Sequence, residues 1–298
     1  MKPSTQQALE LRQDYFGDKL SLIALSKLLH QIFNIDISLQ DRFGGPDPSS
    51  MPFGYFDADG RCVANFSVFT MPLTVDGKSI KAAGYQSGAV LPEYRGRGLY
   101  QNLMHRAFAW AEEIGHDAGV LHTDKPLLYT RHGFRSIPQT KFCGPLSKTN
   151  SSALKSRRLE LSNSDDVALM SHLLETRAPI SKRFAVLCQK EMFLLNACFD
   201  PSIHLTYVEA LETLAAWKAG ANGTLMLLDV VAPQMSALVD IAAAIQQSFH
   251  TVEVYFSPDQ LEWNGEPHPY QGTCDLMLMG LDDLERGAPF MLSPMADF

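Results

Sequence analysis

Ala89-Val90-Leu91-Pro92-Glu93-Tyr94-Arg95-Gly96-Arg97-Gly98-Leu99-Tyr100 is the stretch on which the fold turns. An apolar strand closes at Val90 and a short basic loop follows. Leu99, Leu103, Ala107, Ala111 and Ile114 then recur at helical spacing, with Gly115 placed to end the helix. Glycines at 96 and 98 permit positive φ, which turns backbone N–H groups toward one point. The helix N-terminus behind them adds unpaired donors and the positive end of its dipole. Arg95 and Arg97 add charge. The segment is built to hold a pyrophosphate.

A nucleotide P-loop would end in Gly-Lys-Ser/Thr, which is absent. A dinucleotide loop needs a third glycine and an acidic residue about 20 positions later, and the glycine is missing. The segment does resemble the acetyl-CoA loop of the GNAT N-acetyltransferases, Gln/Arg-x-x-Gly-x-Gly/Ala. Arg95, Gly98 and Tyr100 occupy its signature positions. Tyr100 stands where a small residue is usual, and large residues there mark the Eis-like (enhanced intracellular survival) branch. The resemblance implies acetyl-CoA as cosubstrate, held by Arg95, Gly96, Arg97, Gly98, Leu99 and Tyr100. It also implies a backbone N–H for the thioester carbonyl at a bulge in the preceding strand, matched here by Ala89 and Val90, with Gly88 giving backbone freedom.

A second segment agrees. Leu128-Tyr129-Thr130-Arg131-His132-Gly133-Phe134 resembles the GNAT element Leu-Tyr-x-x-x-Gly-Phe, and Arg131 suits its Eis-like form. Ala118-Gly119-Val120-Leu121-His122 between the two fits a buried parallel strand. The resemblance covers roughly residues 5–147.

Length allows two domains, and a hydrophobic content of 46% with 19% charged residues suits a globular chain with a substantial core. The N-terminus lacks an apolar secretory region, and no apolar run approaches the ~20 residues that span a bilayer. Five scattered cysteines without a Cys-x-x-Cys pair suggest reduced thiols used mostly for packing, not zinc or disulfides. The nine histidines show no metal-ligand spacing either. These features predict a cytoplasmic protein with no metal and no membrane partner. No repeated Arg-Gly-Gly or aromatic series accompanies the basic loop, so no nucleic-acid partner is expected. Residues 1–149 carry a net charge of +2 and residues 150–298 one of −10. An acidic second half is a solvated surface that also attracts cationic amines.

The polar stretch 144–152 reads as a linker, giving a catalytic domain over 1–147, a linker over 148–162 and a second domain over 163–298. Before the loop, Leu9–Leu11 predicts a strand and Leu22–Phe33 an amphipathic helix. Strands flank Asp57–Gly60, and Asp76-Gly77 is a hairpin signal. In the second half, helices are predicted over Val167–Thr176, Phe184–Phe199 and Met235–Phe249. Strands are predicted at Leu205–Val208, Leu214–Trp217, Thr224–Val231, Thr251–Phe256 and Cys274–Met279. Hairpin, strand, helix and strand repeat the first half, but the turn Val231–Gln234 lacks arginine and glycine. The fold class is therefore α/β (α+β): a GNAT fold with a mixed, mostly antiparallel sheet flanked by helices, and a second, degenerate GNAT-like domain unable to cradle a pyrophosphate.

The resemblance makes Tyr129 the general acid for the leaving thiol. A phenol of pKa ~10 stays protonated at neutral pH. For the amine's proton, His122 and Asp124 lie at the end of the strand beside the donor. A hydrogen-bonded packing role for His122 and an N-cap role for Asp124 are the alternatives. Glu93 reads as an orienter of arginine. In Eis-like enzymes a C-terminal carboxylate on phenylalanine is the proton acceptor, which makes Phe298 a further candidate. Phe290, Met291 and Leu292 suggest that this tail is docked. The resemblance implies a small-molecule or peptide amine as acceptor, which the sequence does not specify further. The second half covers the acceptor side or forms a homo-oligomer interface. A non-catalytic acetyl-CoA sensor is the alternative function.

Overall fold

The computed structural model describes residues 8–146, 154–245 and 247–298. They form two compact units. One holds the described residues through Thr70 with Lys81–Leu121; the other holds Met71–Ile80 with His122–Phe298.

The first unit carries β1 (Glu10–Gln13), α1 (Lys19–Phe33), β2 (Met51–Phe56), most of β3 (Cys62–Val75) and of β4 (Lys78–Val90), α2 (Leu99–Glu113) and the start of β5 (Ala118–Thr123). The sheet runs β1-β2-β3-β4-β5, with β4 and β5 parallel. Asp18 caps α1, accepting from the N–H groups of Leu20 and Ser21 at 3.2 and 3.3 Å. The helix lays Leu25, Leu28 and Leu29 against Phe56, Val63, Ala89 and Leu91. It ends on Asn34, whose left-handed φ of 58° lets its N–H reach the His30 carbonyl. α2 buries Leu103, Met104, Ala107 and Ala111, and Gly115 at φ 75° stops it as expected.

In the second unit the β3–β4 hairpin turns on Asp76 (φ 48°) and Gly77 (φ 75°), the double left-handed turn that Asp-Gly favours. Beyond β5 the chain forms β6 (Arg135–Ile137), β7 (Gln139–Pro145), β8 (Ser156–Arg158), α3 (Ser164–Thr176), β9 (Phe184–Val186) and α4 (Lys190–Phe199). Then come β10 (His204–Val208), β11 (Thr213–Ala219), β12 (Thr224–Val231), α5 (Leu238–Ala244), β13 (Thr251–Val254), β14 (Glu266–Tyr270) and β15 (Asp275–Met279). Seven of these make one sheet, ordered β14-β7-β13-β12-β11-β10-β8, with β12 and β13 parallel.

Several elements differ from the sequence reading. The helix expected over Phe184–Phe199 begins only at Lys190. Phe184–Val186 is a fully buried strand pairing Val186 with Leu73. A short apolar run satisfies either period, and burial on both faces decided for strand. The helix expected from Met235 to Phe249 is limited to Leu238–Ala244. β14 (Glu-Pro-His-Pro-Tyr) was missed because two prolines argue against a strand; it sits at the sheet edge, where prolines are tolerated. β7 bonds to β13 and β14, and β15 pairs with β6, so the compact units do not follow the division at 147 and 163. Of the linker stretch, residues 147–153 lie outside the described residues.

A buried ion pair ties the second sheet to the chain's last residues. The Arg177 guanidinium, 7% exposed, donates to Asp229, 2% exposed, at 2.5 Å and to the Val230 carbonyl at 3.0 Å. Ser293 Oγ donates to the Asp229 carboxylate at 2.8 Å. Asp229→Ala strands a buried guanidinium and is expected to cost ~3–5 kcal/mol. Adding Arg177→Met to that variant is expected to restore more than half of the lost denaturation midpoint. A single variant as stable as the parent would show that the pair does not hold this end of the sheet.

Candidate active site

The basic loop leaves β4 after an irregularity in the strand. The parallel register runs from Ala82↔Ala118 to Tyr85↔Leu121 and stops there, while β4 continues to Val90. Ser87 has a left-handed φ of 58°. Asn65, fully buried on β3, donates from Nδ2 to the Ser87 carbonyl at 2.9 Å and to Ser67 Oγ at 3.0 Å. The Tyr15 hydroxyl donates to Asn65 Oδ1. Sequence reasoning gave the backbone freedom here to Gly88, but the left-handed residue is Ser87. Gly88 is required for space instead: a Cβ there would lie 2.4 Å from Tyr100 Oη and 3.0 Å from the Phe66 ring. Tyr100 meets Phe66 edge-on, ring centroids 5.5 Å apart. The bulk at position 100 is thus accommodated by the absence of a side chain at 88.

Beyond Val90, a 3₁₀ turn over Pro92–Tyr94 leads to Arg95, and Gly96 (φ 75°) and Gly98 (φ 74°) are both left-handed, with open space where a Cβ would stand. α2 starts at Leu99 without a side-chain cap, which leaves its first N–H groups for a ligand. Arg95 donates to the Val90 carbonyl at 3.3 Å. Arg97 donates to the Glu93 carbonyl at 3.1 Å and lies over the Tyr94 ring at 4.7 Å. Glu93 therefore meets Arg97 through its backbone, while its carboxylate approaches Arg61 at 3.9 Å. Burial would raise the Asp57 carboxyl, but the Arg61 side-chain and backbone donors outweigh it and hold it below the ordinary range. That aspartate also accepts from buried Tyr94 at 3.4 Å, anchoring the base of the loop. Ala89 is buried and Val90 half-buried just ahead of it.

The other sequence-predicted residues lie in the second unit. Tyr129 is 6% exposed, between two 3₁₀ turns (Pro126–Leu128 and Thr130–His132), and its ring meets Phe134 edge-on at 6.2 Å. His122 has a side chain only 10% exposed. Its Nδ1 bonds to the Asp297 carboxylate, its ring stacks on Phe298 (centroids 5.8 Å, planes 5° apart), and its buried Nε2 has no partner. Asn196 on α4 donates to the Asp297 carbonyl at 2.8 Å and to that of Met295 at 3.3 Å, fixing the tail. Asp124 does not cap the following turn, which has no side-chain cap; it is exposed and pairs with Lys125 at 3.8 Å. The structure thus brings His122 and Phe298 together, while Asp124 is ion-paired to Lys125. Asn65, Ser87, Asp297 and Asn196 escaped the sequence reading. Only Asn65 carried a signal, as an amide inside an apolar run.

Among the described residues no cluster of three or more His, Cys, Asp or Glu side chains could hold a metal ion, and no helix is long and apolar enough to cross a membrane. Of the five cysteines Cys62 is buried, its thiol pushed up to about 12 by burial, Cys143 and Cys198 are half-buried, and Cys188 and Cys274 are exposed.

Residues 5–137 match the acetyltransferase (GNAT) domain family. This chain carries a GNAT acetyltransferase domain. An uncharacterized N-acetyltransferase of Streptomyces griseus is 42% identical over 95 residues, which is 32% of this chain and 22% of that protein. One from Streptomyces avermitilis is 38% identical over 82 residues, 27% and 19% of the two chains. The match spans about a fifth of the length of these relatives. Among solved structures, a conserved protein of unknown function from Enterococcus faecalis, described as a probable N-acyltransferase, superposes with a TM-score of 0.62. It is 13% identical, with 93% of this chain and 74% of that one covered. Eis1 from Mycobacterium abscessus gives a TM-score of 0.58 at 14% identity, covering 91% and 73%. At such identities the likeness is one of fold. It extends over both halves of the chain, consistent with two GNAT-like domains.

Gly88→Ala in the GNAT domain is expected to cost roughly 1–3 kcal/mol through overpacking against Tyr100. Tyr100→Ser in the same chain is expected to recover most of it. Calorimetric unfolding of both variants reads this out, and a Gly88→Ala midpoint equal to the parent's would show that the spacing is not needed.

Proposed function

We propose that the protein transfers the acetyl group of acetyl-CoA to a primary amine by direct attack. The observation that carries this reading is the loop Arg95–Gly98 delivering two left-handed glycines and an uncapped helix start beside a strand that has parted from its parallel neighbour. Backbone N–H groups of residues 95–100 hold the pyrophosphate, and Arg95 and Arg97 swing from their carbonyl contacts to add charge. Ala89 and Val90 offer the backbone N–H that polarises the thioester carbonyl.

In the proposed reaction the amine nitrogen bonds to the thioester carbon and the carbon–sulfur bond breaks. Tyr129 gives its phenolic proton to the departing sulfur, whose thiol has an ordinary pKa of ~8.5. A lysine-like amine with pKa ~10.4 is neutral in about one molecule in 10³ at pH 7, so a base is needed. His122 suits that task better than Asp124. Its Nε2 is shielded and unpartnered, whereas Asp124 is exposed and ion-paired.

The domain reading, a donor-binding first half and a degenerate second, belongs to the same proposal. Where β12 parts from β13 beyond Leu227↔Val254, the chain's own Ser293 bonds to the Leu228 carbonyl at 3.0 Å. With that end filled, one acetyl-CoA per chain is expected. Calorimetry on the parent is expected to give that stoichiometry, and Arg95→Ala with Arg97→Ala to weaken binding by ~1.5–3 kcal/mol per lost charge-assisted contact. Unchanged affinity in the double variant would remove the donor site from the loop. Release of free CoA across a panel of amines separates an acetyltransferase from an acetyl-CoA sensor, which would bind the donor and release no thiol. With an active amine, Tyr129→Phe is expected to lower kcat by ~10²–10⁴-fold with donor affinity unchanged. A kcat within a few-fold of the parent's would end the general-acid assignment.

A further inference from the structure

We infer that Asp297 is a positioning residue that fixes the tautomer and orientation of His122, so that Nε2 is the ring atom that takes a proton. The inference rests on the reading of His122 as the base in the proposed acetyl transfer.

The geometry begins with donors and acceptors. An ionised aspartate can only accept, so the His122 nitrogen facing it must carry the hydrogen. That nitrogen is Nδ1. A neutral imidazole holds one hydrogen, which leaves Nε2 as a bare lone pair. Nε2 is buried and unpartnered, an arrangement that costs free energy and is uncommon in folded proteins. Such a nitrogen is explained when it serves a ligand's proton.

Asp297 is itself held from both sides. Asn196 grips its carbonyl at 2.8 Å, and its own Oδ1 accepts the Phe298 N–H at 2.9 Å. Upstream, Ser293 is bonded to Asp229, and Met295 and Ala296 are buried. The carboxylate therefore reaches His122 from a backbone fixed on α4 and on the second sheet. On the other side of the imidazole, Phe298 stacks parallel to the ring and restricts its rotation. A bare lone pair aimed in one direction is what a general base requires.

Other titratable and charged groups lie around the Asp297 carboxylate. Asp124 follows on the strand that carries His122. Tyr270 and Cys274 both feel the Asp297 charge, which raises each of them, although burial is the larger cause in both cases. Asp124 and Asp275 add to the field at Cys274, and Lys141 opposes it at Tyr270. A proton arriving on Nε2 leaves an imidazolium whose Nδ1–H still faces the Asp297 carboxylate. That proton comes from the attacking nitrogen. The hydrogen on Nδ1 stays where it is, and none passes to the carboxylate.

The decisive measurement is long-range proton–nitrogen NMR of the full chain, with the His122 signals assigned by their loss in His122→Gln. The parent at neutral pH is expected to show a protonated Nδ1 and a bare Nε2. Asp297→Asn, which removes the charge but keeps the size, is expected to shift the ring toward the opposite tautomer, and Asp297→Glu to restore it. A parent with the proton on Nε2, or an Asp297→Asn ring unchanged from the parent, would overturn the inference. Kinetics with spermidine as the acceptor probe give the second readout. Asp297→Asn is expected to lower kcat at least tenfold with the KM for acetyl-CoA within twofold. In a His122→Gln background the same change is expected to add no further loss. Full activity in His122→Gln would instead reject His122 as the base while leaving the NMR result to decide the tautomer clamp.

Discussion

The first unit is organised by the need for β4 and β5 to stop pairing while both remain strands. Parallel neighbours normally keep bonding along their shared length, and separating them exposes backbone groups that must be satisfied elsewhere. Here the separation follows Tyr85↔Leu121, and a left-handed Ser87 redirects β4 two residues later. A non-glycine residue in that conformation costs on the order of 1–2 kcal/mol. Asn65 offsets it by binding the Ser87 carbonyl, and Tyr15 saturates Asn65 in turn. The amide sits fully buried in a strand of Val, Phe and Ala, where an unsatisfied polar group would be costly. The fold therefore keeps the break only while this small polar network stays complete. Gly88 and Tyr100 extend the same logic into packing, since the start of α2 settles onto a position that has no side chain.

The seven-stranded sheet of the second unit repeats the parting of two parallel strands and puts it to a different use. β12 and β13 pair from Thr224↔Thr251 to Leu227↔Val254, and β12 runs on to Val231. Ser293 takes the Leu228 carbonyl, Arg177 takes that of Val230, and the Ala178 N–H takes that of Ala232. Backbone acceptors that the first unit leaves beside an anion loop are here consumed by the chain itself. No loop of glycines and arginine follows β12; Val231-Ala232-Pro233-Gln234 leads on toward α5. At this end of the sheet the parting anchors the segment around Ser293.

What could be read from the sequence was whatever local chemistry dictates. Asp76-Gly77, Gly96, Gly98 and Gly115 specify backbone conformations directly, and the stripes of α1 and α2 specify a buried face. The turns and helix ends were legible for that reason, whereas Tyr129 was singled out by the family resemblance. Partner choice between strands was not. Nothing local in β7 or β15 says that β7 joins β13 and β14 while β15 joins β6. Ser87 was missed because positive φ in a serine leaves no mark in composition. Asp297 was missed because its partner lies 175 residues away in the chain.

The tail shows how a weakly held charge can be placed without being asked to hold the fold. Ordering a chain end costs roughly 1–2 kcal/mol per residue in backbone entropy. Phe290, Met291, Leu292 and Met295 are each at most 3% exposed, and burying such side chains contributes ~1.5–3 kcal/mol apiece. Phe290 packs against Phe184 at 4.6 Å, the Leu292 N–H reaches Gln139 Oε1 at 3.0 Å, and Ser293 closes on Asp229. These contacts fix the segment before it arrives at Asp297, whose side chain is 55% exposed and adds little to stability. Binding energy and chemical role are therefore separated along a few residues, with apolar anchors upstream and the carboxylate at the end. Such a division leaves the carboxylate facing His122 and the Phe298 N–H while the anchoring is done upstream.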